Sequence, residues 1–265
     1  GATFDSRLAV YASGTCAGVN QASLVACGDN QCGDDASVTI PVTGGSSYAV
    51  RVGSSGAGVT GTGTLTVDNQ AKVGAIAMSV GRNGGTGTFN ATNATVQLAG
   101  QQTTGNFAGA SLSIGQTGGT GTVNLTGTGV TIHNATGSSG ASLNIGGTTS
   151  YPGGTGTLQM ANSTVDIAAG AGPAIVNVGR NGSGTAVLNA SSISVGDGVA
   201  TNGSVYVGRE AGATGQLTLA NGSTLNAGFV GVGVASAGAG NALGAAGGTG
   251  QLNISGNSAV HASRV

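Results

Sequence analysis

A short glycine-containing motif recurs along most of this chain and constrains its fold more than any other feature. A Thr-Gly or Ser-Gly step opens a short strand-like segment seven times. The spacings between successive glycines are 24, 34, 35, 28, 31 and 35 residues, which is the range of stacked structural repeats. Units of this size bury their apolar faces only against their neighbours, so the chain is predicted to be a solenoid. The glycines are Gly63, Gly87, Gly121, Gly156, Gly184, Gly215 and Gly250.

Each repeat contains three strand-like segments. The first alternates apolar and polar residues, as in 122–125 (TVNL), which is typical of a half-buried strand. The second follows a small polar corner, as in 165–167 (VDI), and the third ends on glycine, as in 112–115 (LSIG). A closing glycine suits a corner that needs a positive φ or a close backbone approach. The pattern therefore predicts an all-β fold, a parallel β-helix of about seven coils with three strands per coil.

The alternation also predicts which side chains face the interior. Two stacks are expected, one from the first strands and one from the third strands. The first stack is Leu65, Phe89, Val123, Leu158, Ala186, Leu217 and Leu252. The second is Val80, Ile114, Ile145, Val178, Val207 and Val232. Length variation falls in the corners, mainly at 99–110, 134–141 and 235–248, where a solenoid tolerates insertions.

One outward row of the first strands is polar and is expected to form hydrogen-bond ladders between coils. Its members are Thr66, Asn90, Asn124, Gln159, Val187, Thr218 and Asn253. A regular threonine array on such a face could order water, as in ice-binding solenoids. This row is mixed rather than pure threonine, which makes ice binding the least favoured of the functions considered.

Composition narrows the class of protein. Glycine contributes 55 of the 265 residues, yet the apolar alternation supplies a core and argues against disorder. Only 6% of the residues are charged and the net charge is −1, so no field favours nucleic acid or an anionic membrane. No apolar run approaches the roughly 20 residues of a membrane-spanning helix. Sparse charge with abundant Gly, Thr, Asn and Ser is typical of secreted bacterial surface repeats.

The first fifty residues differ from the repeats, since they contain all three cysteines. Segments 5–11 (DSRLAVY), 26–32 (ACGDNQC) and 48–53 (YAVRVG) resemble the C-terminal half of pre-peptidase C-terminal (jelly-roll) modules of secreted bacterial proteins. That resemblance implies a partial antiparallel β-sandwich at 1–52 and a solenoid at 53–265. Further strands are expected upstream, and the last repeat stops after its second strand, so we expect a piece of a longer protein. The repeats themselves resemble autotransporter-type passengers and related adhesins.

The resemblance to the jelly-roll module implies a disulfide between Cys16 and Cys27, with Cys32 bonded to a residue outside this chain. The rival pairing is Cys27 with Cys32, which leaves Cys16 free. An odd cysteine count fits a partner elsewhere, and disulfides indicate an oxidising, extracellular setting. A zinc site is the third alternative, but His133 and His261 lie far away in sequence and structural zinc takes four N or S ligands.

Two polar clusters are candidate sites. The acidic loop with Asp29, Asp34 and Asp35 offers oxygen ligands for calcium, and its alternative is a solvated Asx turn. Arg82, Arg180 and Arg209 follow the third-strand glycine at equivalent positions and form a predicted surface row. That row either grips a partner or provides solubility and caps corner carbonyls, and Glu210 offsets repulsion between Arg180 and Arg209.

Catalysis has little support, because each coil contributes at most one or two charges and the histidines are isolated. The leading hypothesis is a non-enzymatic, extracellular structural protein, either a bacterial surface adhesin or a filament-forming stalk. Open coil ends with unpaired strand edges predict head-to-tail self-association, or contacts with surfaces and polysaccharides. The alternative is a polysaccharide-binding or non-catalytic arm of a secreted hydrolase, for which the scattered tyrosines offer no aromatic strip.

Overall fold

A computed structural model describes residues 6–11, 24–29, 49–54, 61–100, 109–134, 140–170, 172–196, 203–235 and 247–265. The chain divides into two compact units, Gly1–Gly63 and Thr64–Val265. Within the described ranges every regular element is a β-strand. That part of the chain accordingly has no helix long and apolar enough to cross a membrane.

The first unit contains a small antiparallel sheet. Strands β1 (Ser6–Tyr11), β2 (Leu24–Asp29) and β3 (Ala49–Ser54) are arranged in the order β2-β1-β3. The central strand β1 places Arg7 opposite Asp29 on one side and Gly53 on the other. A β-sandwich needs two packed sheets, and the described residues of this unit form one, so the sandwich expected from the sequence stays a prediction.

The second unit is a parallel β-solenoid of about five turns between β7 and β20, with a further partial turn on either side. The first strands of the turns are β4 (Thr62–Val67), β7 (Thr86–Thr92), β10 (Thr120–Thr126), β13 (Thr155–Ala161), β16 (Ser183–Asn189), β19 (Thr214–Ala220) and β21 (Thr249–Ile254). The second strands are β5 (Lys72–Ala75), β8 (Thr95–Ala99), β11 (Gly129–Asn134), β14 (Thr164–Ala169), β17 (Ser192–Val195) and β22 (Ala259–Arg264). The third strands are β6 (Ala77–Arg82), β9 (Ala110–Gln116), β12 (Ala141–Ile145), β15 (Ala174–Val178) and β18 (Gly203–Val207). Strand β20 (Thr224–Val232) serves as second and third strand together.

These strands form two parallel sheets. The first strands make a seven-stranded sheet in the order β21-β19-β16-β13-β10-β7-β4. The second and third strands make a twelve-stranded sheet, whose two halves are joined through β20. The predicted parallel solenoid is thus confirmed, whereas its full extent of seven coils stays a prediction.

Both predicted interior stacks are present. Val123 lies opposite Phe89 in one neighbouring turn and Leu158 in the next. Ile145 likewise lies opposite Ile114 and Val178. These six side chains are buried and belong to one continuous core that runs along the solenoid. The alternation therefore predicted the inward face correctly, because the side-chain period of a strand is two.

The motif glycine is required by a close approach between strand and corner. A Cβ on Gly121 would lie 2.1 Å from the Val80 carbonyl oxygen and 2.6 Å from the Gly115 nitrogen. The closing glycine of the third strand has two reasons, since Gly115 has φ of 70° and a Cβ there would also meet the Thr155 carbonyl oxygen. Any other residue in the left-handed region at this position would be strained.

The corner between first and second strands contains a column of hydroxyls, which are buried in every turn except the last. In each turn the backbone N–H donates to the side-chain oxygen one turn on, as from Thr128 to Ser163 at 3.1 Å and from Ser163 to Ser191 at 3.0 Å. Each hydroxyl then donates to a carbonyl two or three residues earlier in its own turn. These bonds satisfy backbone groups that the corner removes from the sheet. The column is Thr128, Ser163, Ser191, Ser223 and Ser258.

Candidate functional site

The corner that follows the third strand collects the predicted arginine row. Arg82 lies opposite Gln116 in the next turn. The Gly147 N–H donates to the Gly115 carbonyl, and the Arg209 N–H donates to the Gly179 carbonyl. Hence Arg82, Gln116, Gly147, Arg180 and Arg209 occupy equivalent positions in successive turns, and we call this set the third-corner row.

Arg209 was predicted from the sequence to lie on the surface, but it is buried, with only 6% of its area exposed. Its Nη1 donates to Asn177 Oδ1 at 3.0 Å, and its guanidinium carbon lies 4.3 Å from the centre of the Tyr206 ring. Burial lowers the pKa of the Arg209 guanidinium and nearby Arg180 lowers it further, while Tyr206 and Glu210 act in the opposite direction. An arginine side chain nevertheless stays charged in proteins, so Arg209 is a buried cation.

The buried Arg209 begins a chain of hydrogen bonds across three turns. Asn177 accepts from Arg209 and donates through Nδ2 to Asn144 Oδ1 at 2.7 Å. Asn144 then donates to the Ser142 hydroxyl at 3.0 Å. Both asparagines are buried, so each bond replaces water that those amides would otherwise bind. This chain fixes the register of neighbouring turns.

Glu210 compensates the two neighbouring cations of the row. Its Oε1 lies 3.5 Å from Arg180 Nε and 3.6 Å from Arg209 Nε. A carboxylate between two guanidinium groups offsets their repulsion, as the sequence suggested. Arg180 and Arg209 therefore share one ion-pair partner within the solenoid.

Arg82 is the exposed member of the row and contacts an aromatic ring. Its guanidinium carbon lies 4.1 Å from the centre of the Tyr151 ring, and Tyr151 is 42% exposed. The loop that presents Tyr151 is closed by two hydrogen bonds. The Thr148 N–H donates to the Tyr151 carbonyl at 3.0 Å, and the Tyr151 N–H donates to the Thr148 hydroxyl at 3.1 Å. Residues 69 positions apart therefore form one exposed cation–aromatic pair.

A second pair joins neighbouring turns on the outward face of the second strands. His133 Nε2 lies 3.0 Å from Asp166 Oδ2, and both side chains are about half exposed. His133 is isolated in the sequence, since the two residues meet only when β11 and β14 pair. Within the described ranges, no group of three or more His, Cys, Asp or Glu side chains is arranged to hold a metal ion.

The cysteine and calcium predictions fall mainly outside the described residues. Cys27 lies in β2 opposite Ala9, while Cys16 and Cys32 are among the residues not described. Asp29 ends β2 opposite Arg7, and Asp34 and Asp35 are again outside the described ranges. The disulfide pairing and the calcium loop both stay predictions.

The outward face of the first sheet carries two regular columns of side chains in addition to the row predicted from the sequence. Asn124 donates to Asn90 Oδ1 at 2.8 Å, which is part of the predicted ladder. Beside that row lie two further columns on either side of the motif glycine, and we call them the threonine columns. Column A is Thr86, Thr120, Thr155, Ser183, Thr214 and Thr249, and column B is Thr88, Thr122, Thr157, Thr185, Gln216 and Gln251.

The threonine columns were missed although their signal is in the sequence. A Thr-Gly-Thr triplet, or a close variant of it, opens each repeat, and the two flanking side chains of a strand triplet share one face.

Comparison of the chain with protein-family models, curated proteins and solved structures gave no match.

Proposed function

We propose that this chain is a non-enzymatic, extracellular structural protein of a bacterial surface, a stalk of an adhesin or filament. The observation that carries the proposal is the uninterrupted register of the first sheet. From β7 to β21 every strand pairs with the next without a shift. Seven strands spaced about 4.8 Å apart extend over roughly 30 Å.

Side-chain ladders support a mechanical function. The buried hydroxyl column, the asparagine chain and the outward amides each bond one turn to the next. Interactions of this kind resist sliding of one turn against another, because a slip breaks all of them together. A repeated array thus gives stiffness with few charged residues.

The proposal includes seven coils and a head-to-tail contact. Among the described residues β21 pairs with β19 alone, and Ile254 in β21 is 49% exposed although its counterpart Leu219 is buried. A further turn stacked on β21 would pair its free edge and cover Ile254. If a second copy supplied that turn, the contact would be heterologous and would propagate as a filament.

Sedimentation velocity over a concentration series tests the assembly proposal, with electron microscopy of the concentrated sample. We expect association that Ile254→Lys weakens, because the lysine places a charge on the proposed contact. Thr131→Lys is the matched control, since Thr131 lies on a side face of the solenoid. A monomer at every concentration would remove the filament and leave the stalk of an adhesin.

The extracellular setting has a separate test. Peptide mapping under non-reducing conditions should show Cys16 bonded to Cys27. A bond between Cys27 and Cys32 would instead overturn the pairing, and three free thiols would argue against an oxidising compartment.

A second candidate function, polysaccharide binding, is favoured by the Arg82–Tyr151 pair. An exposed ring beside a guanidinium offers a stacking surface and charged hydrogen-bond donors in one place. Binding to acidic polysaccharides that Tyr151→Ala abolishes would support this function. Tyr206→Ala is unsuitable as a control, because Tyr206 is buried against Arg209.

A further inference from the structure

The threonine columns form a periodic array of hydroxyls that have no hydrogen-bond partner among the described residues. Column A is exposed throughout, and column B is half-buried except for the exposed Gln251. Within the described part of the chain, the threonine and serine hydroxyls of these columns make no hydrogen bond to protein. Strand β4 begins with the same Thr62-Gly63-Thr64 sequence. The array is therefore free to bind something from solution.

Strand propensity does not explain this uniformity, because the second strands provide an internal comparison. Their central outward row has the same strand geometry and pairs in the same way between turns. That row is chemically mixed, being Gln97, Thr131, Asp166, Ser194, Asn226 and His261. β-Branched residues are enriched on strand surfaces of both kinds, yet the row of the second strands is mixed, whereas column A is threonine or serine in every turn and column B is threonine up to Thr185.

The inward glycine does not explain the threonines either. Gly121 is required because the Val80 carbonyl and Gly115 nitrogen leave no room for a Cβ. Thr120 and Thr122 point to the opposite face, where that crowding does not exist. The choice of threonine on both sides of the glycine is independent of the packing inside.

The chemistry of the array is that of a surface for ordered water. Hydroxyls repeat about 4.8 Å apart along column A and along column B as far as Thr185, and the two columns are about 6.6 Å apart. Each hydroxyl offers one donor and two acceptor positions, and each threonine adds a methyl group beside it. The columns contain no charged residue, which would orient water molecules around itself, and no aromatic ring, which could stack on a sugar.

We propose that the threonine columns bind ice. Immobilising a liquid water molecule at a protein surface costs up to about 2 kcal/mol, whereas water in a crystal is already fixed. A rigid array of hydroxyls at repeated spacings therefore binds an ice face with a more favourable free energy than it binds liquid water. This inference is independent of the stalk proposal, because it concerns the side face and not the ends of the solenoid.

Ice-affinity partitioning and thermal hysteresis test this proposal on the whole chain. We expect wild-type protein to enrich in slowly grown ice and to depress the freezing point below the melting point. The double variant Thr122→Tyr, Thr157→Tyr should lose both properties, because two rings interrupt column B at its centre. Thr131→Tyr is the matched control, since Thr131 is also a half-buried outward residue of the same turn and should keep both properties.

Two results would overturn the proposal. One is folded wild-type protein, verified by circular dichroism, that is excluded from ice. The other is equal loss of ice binding in the Thr131→Tyr control. Binding to insoluble cellulose or chitin without ice partitioning would assign the face to a polysaccharide instead, using the depression beside the columns that Gln159, Val187 and Asn189 line.

Discussion

Strands β19 and β21 have nearly the same sequence but very different surroundings. They read TGQLTLA and TGQLNI, and they pair with each other in register. In β19 the inward Leu217 and Leu219 are completely buried, whereas in β21 Leu252 is half-buried and Ile254 is 49% exposed. The core of this protein is therefore a property of stacked turns, and no single repeat has one of its own.

The motif glycine shows the same difference between an inner and an outer turn. A Cβ on Gly121 would meet the Val80 carbonyl oxygen at 2.1 Å, but among the residues that the structure describes a Cβ on Gly63 would meet nothing within 4 Å. One residue type in one motif position is thus sterically required in the interior and not at the end. Sequence repeats alone do not distinguish the two situations.

Removing a leucine from an inner turn should produce the largest effect. Leu158→Ala should cost about 2–5 kcal/mol of unfolding free energy, because Leu158 is fully buried and its turn is held on both sides. Leu252→Ala should cost less than half as much, since part of that side chain is already in water. Urea titrations followed by circular dichroism measure both values, and equal losses would mean that the last turn is covered in solution.

A methyl group added at the motif glycine should give the next largest effect. Gly121→Ala should destabilise the solenoid by about 1–3 kcal/mol, because the clash involves backbone atoms that cannot rotate away. Gly63→Ala should leave stability unchanged or slightly raised, through the smaller entropy of the unfolded chain. A loss at Gly63 as large as that at Gly121 would place a further strand or corner against β4.

The parts of the fold that depend on one strand were predictable from the sequence. Alternation in 122–125 identified Val123 as inward, and the glycine after Ile114 identified a corner with positive φ. These features are set by side-chain period and backbone sterics, which act within a few residues. The repeat spacing then brought equivalent residues together in the expected register.

The parts that depend on contacts between turns were not predictable in the same way. Arg209 and Arg82 hold the same motif position, but Arg209 is buried, because Asn177 of the neighbouring turn accepts a hydrogen bond from it and Tyr206 of its own turn covers its guanidinium. His133 and Asp166 meet for a similar reason, as their strands pair. The threonine columns are a different case. Their pattern is local, because a threonine or a similar polar residue flanks the motif glycine on both sides in each repeat.

The smallest difference between inner and outer turns is expected in the buried hydroxyl column. Ser191 Oγ accepts from the Ser163 N–H at 3.0 Å, and both residues are buried. Ser191→Ala should therefore cost about 1–3 kcal/mol, because it leaves that N–H without a partner away from water. Ser258→Ala should cost less, since the Ser223 N–H also donates to the Ala220 carbonyl at 3.3 Å and Ser258 is only half-buried.

Amide hydrogen exchange separates these two serines more sharply than denaturation does. In the Ser191→Ala variant the Ser163 amide should exchange much faster than in wild type, while amides of the distant first turn keep their rates. In the Ser258→Ala variant the Ser223 amide should change little, because its second acceptor remains. If both amides accelerated equally, the hydroxyl column would hold the last turn as firmly as the inner ones, and the contrast between β19 and β21 would be confined to their apolar side chains.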